Sequence, residues 1–536
     1  MMRRWIALWL AVCAGAALSA EPAAPGEAAR GQVIYETGRR TDGSALPAHR
    51  PGAGAVPAAS AACANCHRGS GMGQREGKLL VPVVAGHILF APLHRSTMLR
   101  AHPAMVQQPL RAYDRPAYTA RALATAVRDG IDVAGRPLDP AMPRYQLSAR
   151  DAADLEAYLR QLGSQPLAGV SNGVLHLASV LTPDAQPEAR RTVAAATAAW
   201  AAQLSLGGWR VKWSPWVLEG PPQGWAAQLD KRWQDQPVFA MVSGAGGTHW
   251  APVARFCEAR RLPCVFPSIE LPPEATDEAH FNFYLSEGIR AEAALLAQWH
   301  AQLPAPPRGV LQLVAAGDEA ATAGAAQLQR ALPTGLAQSP TPVAAGDTAA
   351  LAAAYRTARE GDVVVLWARA AAVSDFLRQT PPRPGVALWL SAMVSPEHRV
   401  EVPAAWRSQV LWASVHADMV RRNAGAAMSM VPWARSLNLP ADLDPVVLSE
   451  VHAATFFFTD TLARMREGLN TAYFNETLED TVDLRPASSG FFRMSLGPNQ
   501  RIAARGGHML GFRSQRSPYP VPVSPYLRAE AADSPR

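Results

Sequence analysis

Cys63-Ala64-Asn65-Cys66-His67 is the stretch on which the reading of this chain turns. Two thiols three residues apart lie on one face of a helical turn, because positions i and i+3 are neighbours there. His67 follows immediately and presents an imidazole beside them. The pattern C-x-x-C-H is a signature of c-type haem attachment: the thiols add to the two vinyl groups and the imidazole meets the iron. A zinc pair would need two further ligands at suitable spacing, and none stands out. A redox C-x-x-C would need a βαβ context, which the flanking sequence lacks.

Upstream, Gly31 to Gly38 reads as a helix stopped by its glycine, and an Ala/Pro/Gly-rich loop from Ala45 to Ala59 leads to the cysteines. Downstream, helical patterns run over Arg121–Arg128 and Ala149–Leu162. In the second, Ser148 caps the start, Asp151 and Asp154 sit in the first turns, and Leu155, Tyr158, Leu159 and Leu162 share one apolar face. Between these helices lies Asp129-Gly130-Ile131-Asp132, then Gly135-Arg136-Pro137-Leu138, then Ala141-Met142-Pro143-Arg144-Tyr145. No β-alternation is visible here, which predicts an all-α domain.

Together these motifs resemble the class I cytochromes c from about Ala28 to Leu162. The resemblance implies one covalent haem c, tethered by Cys63 and Cys66, with His67 and Met142 as axial ligands to the iron. It also implies that the first and last helices cross near the haem edge, and that the Pro82 carbonyl takes the His67 ring N–H. Met72, Met98 and Met105 are the rival thioethers; His87, His94 or His102 would give bis-histidine ligation. His/Met ligation leaves no open iron position, so the expected chemistry is one-electron transfer rather than oxygen activation.

Residues 1–20 read as a signal peptide: a basic Met1–Arg4, an apolar Trp5–Leu18, and Leu18-Ser19-Ala20 at the cleavage end. Val12 is too large for a lipobox, which argues against lipidation at Cys13. Export to the periplasm leaves Cys63, Cys66, Cys257 and Cys264 in an oxidising compartment, where Cys257 and Cys264 are expected to form a disulfide, with zinc the alternative. No later segment is long and apolar enough to span a bilayer, so no membrane span is expected in the mature protein.

The chain has 536 residues, too many for one ordinary domain, and 49% apolar residues suit a full core. The net charge of +7 is almost all arginine, with Lys78, Lys212 and Lys231 the only lysines. No basic stripe interleaved with aromatics is present, which argues against nucleic acid; the mild positive sign favours acidic protein partners at most.

After Gly169 the pattern changes. Apolar runs at Val174–Val180, Trp209–Trp213, Val238–Val242, Cys264–Phe266, Val310–Val314, Val363–Trp367, Val386–Leu390 and Val410–Ala413 alternate with helical stretches. Such runs predict parallel sheets covered on both faces, and their number predicts two α/β lobes, with a Pro-rich break at Pro304–Pro307. The region from Ser171 to Phe512 resembles a type I periplasmic binding protein of the leucine/isoleucine/valine-binding kind. The resemblance rests on Val238 to Thr248, Trp250-Ala251-Pro252-Val253, Leu262 to Pro267, and Ser495-Leu496-Gly497-Pro498-Asn499-Gln500-Arg501.

Val238 to Thr248 is a strand entering a glycine-rich turn and then a helix. Exposed N–H groups at Gly246 and Gly247, with the Ser243 and Thr248 hydroxyls, would suit a carboxylate or another anion in a ligand cleft. Equally, Gly244–Gly247 is a plain turn with Thr248 as an N-cap. His249, Trp250 and Glu270 could flank the same edge, and no residue stands out as a partner for an amino acid's ammonium group. The adjacent acids Asp318-Glu319 and Glu479-Asp480 read as solvated surface. No nucleophile elbow, zincin motif or phosphate loop is found, so no enzyme is expected.

The expected organisation is a signal peptide (1–20), a cytochrome c domain (28–165), a linker (166–172), a two-lobed binding-protein-like domain (173–515) and a tail (516–536). The expected function is a periplasmic monohaem carrier moving single electrons from a periplasmic dehydrogenase towards the respiratory chain. Its second domain would dock a redox partner or bind a small molecule; the alternative is a haem-linked solute sensor.

Overall fold

The computed structural model describes residues 26–76, 79–93, 114–164, 167–206, 209–274, 280–336, 338–416, 424–465, 469–481, 490–491, 493–498 and 500–529. The proposed signal peptide, Met98, Met105, His94, His102 and Asn499 lie outside them. Two compact units divide at Gln165/Pro166. Among the described residues no helix is long and apolar enough to cross a membrane.

In the first unit the helix Ala28–Thr37 ends on Gly38, which takes the left-handed conformation that stops it. The helix Ala149–Gln161 starts with a reciprocal cap: Ser148 Oγ accepts the Asp151 N–H at 3.0 Å, and the Asp151 carboxylate accepts the Ser148 N–H at 2.9 Å. These helices pack on each other. Gly31 makes the approach possible, because a Cβ there would sit 2.0 Å from the Asp154 carbonyl oxygen. Arg30 then closes on the buried Asp154 carboxylate at 2.7 and 3.0 Å. The core beneath gathers Ile34, Tyr35, Leu46, Leu89, Leu123, Val127, Tyr145, Leu155 and Leu159.

The expectation of an all-α domain is corrected here. Strands β1 (Ala48–Arg50), β2 (Gly54–Val56) and β5 (Arg144–Tyr145) form an antiparallel sheet, and β3 (Gln74–Glu76) pairs with β4 (Leu79–Val81). Strands of two or three residues are too short to write a period-two pattern, so nothing in the hydropathy announces them.

The second unit holds two sheets. The first lobe contains β6 (Val170–Ser171), β7 (Val174–Leu181), β8 (Ser205–Leu206), β9 (Trp209–Val217), β10 (Ala240–Gly246), β11 (Cys264–Val265), β12 (Ser268–Ile269) and β13 (Asn282–Phe283). Their order is β13-β11-β10-β7-β9-β8, with β12 beside β10. The second lobe contains β14 (Val310–Ala315), β15 (Thr341–Val343), β16 (Val363–Trp367), β17 (Ala387–Ser391), β18 (Val410–Ser414), β19 (Gly506–Gly511), β20 (Val521–Pro522) and β21 (Leu527–Arg528). Here the order is β15-β14-β16-β17-β18-β19-β20, parallel up to β18 and antiparallel at β19. The central strands are the buried apolar runs of the sequence.

Three boundaries differ from expectation. The supposed linker contains β6, which pairs with β7, and the supposed tail contains β20 and β21, which pair with β19. Prolines at 520, 522 and 525 disguise those last strands, because proline is tolerated only at sheet edges. The crossing between lobes comes before the Pro-rich break: the helix Ile289–Gln302 packs on β17, β18 and β19. The helix Pro445–Arg464 returns to the first lobe, against the helix Pro187–Gln203 and β10.

Candidate functional site

Cys63 is the N-cap of the one-turn helix Ala64–His67, and the His67 N–H donates to the Cys63 carbonyl at 2.9 Å. Neither cysteine of the motif is part of a disulfide. His67 is 8% exposed, and its Nδ1 lies 2.9 Å from the Pro82 carbonyl oxygen. A carbonyl only accepts, so Nδ1 carries the proton and Nε2 keeps its lone pair. Burial lowers the His67 pKa against the raising effect of that carbonyl, which favours the neutral imidazole a metal needs. Burial likewise pushes the Cys63 thiol up to about 11, against the hydrogen bond from Tyr145.

The segment that follows β4 and carries Pro82 is brought in by the glycine loop. The Gly73 N–H donates to the His67 carbonyl at 3.0 Å, and a Cβ on Gly73 would lie 2.2 Å from the Val81 oxygen. Met142 packs half-buried against the core that also takes Cys63, Ala64, Val84, Phe90 and Tyr118. Its loop is braced by the buried Arg144, whose guanidinium donates to the carbonyls of Met142 at 2.6 Å, Leu138 at 3.1 Å and Asp139 at 3.4 Å. Gly130 leaves room for this side chain: a Cβ there would sit 2.0 Å from Arg144 Nε. Of the described rivals, His87 is exposed and Met72 is not part of that core. Two thiols on one turn, an oriented neutral imidazole, and a thioether packed on the same core as Cys63 are a donor set that fits haem.

In the second unit a cleft of about 690 Å³ opens where strands of both lobes end. Its charged lining is Asp184, His249 and Glu270 from the first lobe and Asp318, Glu319, Arg369 and Asp375 from the second. Arg369 follows β16 and donates to Glu270 at 2.5 and 3.0 Å and to Asp318 at 2.6 and 3.2 Å. Burial opposes its charge, but the hydrogen bonds and charges of Glu270 and Asp318 hold the guanidinium above its ordinary pKa. Thr248 Oγ1 donates to Glu319 across the lobes at 2.5 Å.

Of the four residues assigned to an anion site, Gly247 and Thr248 line the cleft, whereas Ser243 and Gly246 do not. Ser243 is 2% exposed, and Gly246 is covered by Trp250 and Ile269. The Asp184 carboxylate already accepts the Thr248 and His249 N–H groups, each at 3.0 Å. Burial would raise the Asp184 carboxyl, yet hydrogen bonds from Thr182, His249 and Gly247 hold it below its usual range. His249 and Glu270 line the cleft, and Trp250 is buried in the core of its lobe. Cys257 and Cys264 are joined in a disulfide between the helix Ala251–Arg260 and β11.

Residues 52–163 match the family model described as cytochrome c. The first unit carries a cytochrome c domain. No curated protein matches the chain. Among solved structures, the chain is similar to a fatty acid ABC transporter substrate-binding protein from Thermomonospora curvata: 12% identity, TM-score 0.50, 68% of this chain and 95% of that one. It is also similar to an ABC transporter substrate-binding protein from Aeropyrum pernix: 11% identity, TM-score 0.51, 67% of this chain and 97% of that one. The second unit therefore has the type I periplasmic-binding-protein fold.

In the second unit, several contributing residues are not announced by the sequence. Asp318 and Glu319 are not plain surface: Asp318 caps the helix Glu319–Ala331 and holds Arg369, and Glu319 takes Thr248. Glu479 is also buried, paired with Arg501 at 2.7 Å. The available signal was position, since Asp318 and Arg369 stand just beyond the carboxyl ends of parallel strands.

Proposed function

We propose that this protein is an exported single-haem electron carrier, in which Cys63 and Cys66 tether the haem and His67 and Met142 ligate its iron. When bound, haem supplies a one-electron couple, and thioether ligation raises its potential relative to a second imidazole. The observation that carries this reading is the 2.9 Å contact from His67 Nδ1 to Pro82, which fixes the ring with Nε2 free to ligate. The protein's own part is to orient that ring, hold Met142 through Arg144 and exclude water with Val84, Phe90 and Tyr118. Electrons would pass from a periplasmic dehydrogenase towards the respiratory chain, residues 1–20 being removed on export. The cleft of the second unit would bind a small molecule, which also keeps open a reading as a haem-linked solute sensor; a ligand-dependent potential would favour it.

Met142→Ala tests the assignment. It should lower the potential and let carbon monoxide bind the reduced protein. A variant that keeps the wild-type potential and refuses carbon monoxide would remove Met142 from the ligand set.

A further inference from the structure

The cleft's bonding groups are unevenly spent. Three of its donors, the Thr248 and His249 N–H groups and the Arg369 guanidinium, are occupied by the protein's own carboxylates. The backbone N–H groups of Thr248 and His249, the turn where an anion could sit, hold Asp184. The guanidinium of Arg369 makes four hydrogen bonds, two to Glu270 and two to Asp318. At either place an incoming carboxylate would have to evict one of these groups and then face the others. Acceptors, by contrast, are in surplus: Asp184, Glu270, Asp318, Glu319 and Asp375 line a cleft whose one guanidinium is Arg369. A carboxylate offers about four lone-pair sites, so oxygens already holding a donor can take another.

Arg369 also displays what the cleft does with a cation. A planar organic cation, carried on the second lobe, sits between a carboxylate of its own lobe and one of the first. Much of the wall on the second lobe is short and apolar: Ala315, Ala316, Ala344, Ala345, Ala371 and Ala372. The volume of about 690 Å³ lies within the usual range for small-molecule sites. Resting on the proposal that the cleft binds a small molecule, we infer that its ligand is an organic cation, an amine or guanidinium on an aliphatic body, and not a carboxylate. Ammonium or guanidinium N–H groups would bridge carboxylates of the two lobes while the chain lies on the alanine wall.

The test is thermal unfolding of the full-length haem-loaded protein with agmatine, putrescine, succinate or valine, at low ionic strength. The transition of the second unit should rise by a few degrees with agmatine or putrescine at hundredfold excess over Kd and stay unmoved by succinate. Glu319→Gln and Asp375→Asn, both at exposed side chains and so safe for folding, should each weaken that response at least threefold. A shift with succinate or valine and none with the amines would overturn the cation assignment while leaving the cleft a binding site. An amine response that survives both substitutions would mark general surface binding and overturn it too. No response to any compound would remove the small-molecule reading and this inference together.

Discussion

Arg144 devotes its buried guanidinium to the carbonyls of Leu138, Asp139 and Met142, so the backbone course of the methionine loop depends on it. Hydrogen bonds to a charged group contribute about 1.5–3 kcal/mol each when their loss leaves buried partners unsatisfied. Arg144→Leu should therefore destabilise the first unit by about 3 kcal/mol in denaturant unfolding. The reduced protein should also bind carbon monoxide, with Arg144→Lys falling between. Wild-type carbon monoxide resistance in Arg144→Leu would show that the loop holds its shape unaided. The four residues proposed to hold haem stand out in the sequence because their chemistry is local: a spacing of three, an adjacent histidine, and a Met-Pro ahead of a capped helix. Arg144 lies in the same stretch and was not legible as a brace, because backbone carbonyls have no residue identity to read. The cleft was less legible still. Asp184, Glu270, Asp318 and Arg369 come from separate strand ends and meet only once both sheets are built.

At the level of elements, the parallel strands were visible because burial on both faces writes a continuous apolar run. The two-residue and three-residue strands of the first unit, and the edge strands β20 and β21, write no period at all. Burial also places a polar group where no pattern announces it. Glu292, in the first turn of the helix Ile289–Gln302, is fully buried and accepts from Ser391 Oγ at 2.5 Å and the Met393 N–H at 2.9 Å. It thereby fastens this helix to the end of β17. Burial pushes its carboxyl up to about 7, with the hydrogen bonds of Ser391 and Met393 and the charge of His416 opposing and Glu397 reinforcing. The folded state thus binds this proton more tightly than the unfolded chain does. The stabilisation is fully present below the ordinary value of 4.5 and is lost as pH rises towards 7. At about 1.4 kcal/mol per unit, the loss is on the order of 3 kcal/mol. Burial lowers the His416 pKa, but Glu450 at 2.9 Å raises it above the ordinary value on balance, so its titration adds a loss of the same sign. Glu292→Gln should flatten the fall in melting temperature between pH 5 and pH 8 and be the more stable protein at pH 8. Parallel pH profiles for variant and wild type would show that Glu292 titrates as an ordinary carboxylate.

At the scale of the whole second unit, closure depends on charges that pair across the cleft. Arg369 joins the end of β16 to Glu270 beyond β12, and Glu319 reaches Thr248 from the helix it begins. Each lobe has its own sheet, so such contacts set the angle between lobes rather than their internal stability. Arg369→Ala removes the bridge and leaves Glu270 and Asp318 facing each other unpaired. Breaking a buried pair by removing one partner costs about 3–5 kcal/mol. The Arg369 side chain is 35% exposed, so solvent screening discounts this to roughly 1–2 kcal/mol. The variant should show a larger radius of gyration in solution scattering and a lower second transition on melting. Raising salt to about 0.5 M should narrow the gap from wild type, because the interaction it lacks is the one salt weakens. The same deletion creates a vacancy shaped for a guanidinium, so low millimolar methylguanidinium should return the variant, but not the wild type, towards the compact form. Compaction restored by methylguanidinium and not by sodium at equal ionic strength would assign the effect to the bonds Arg369 makes. Compaction that neither ion restores would mean that Arg369 holds the lobes by packing of its aliphatic stem.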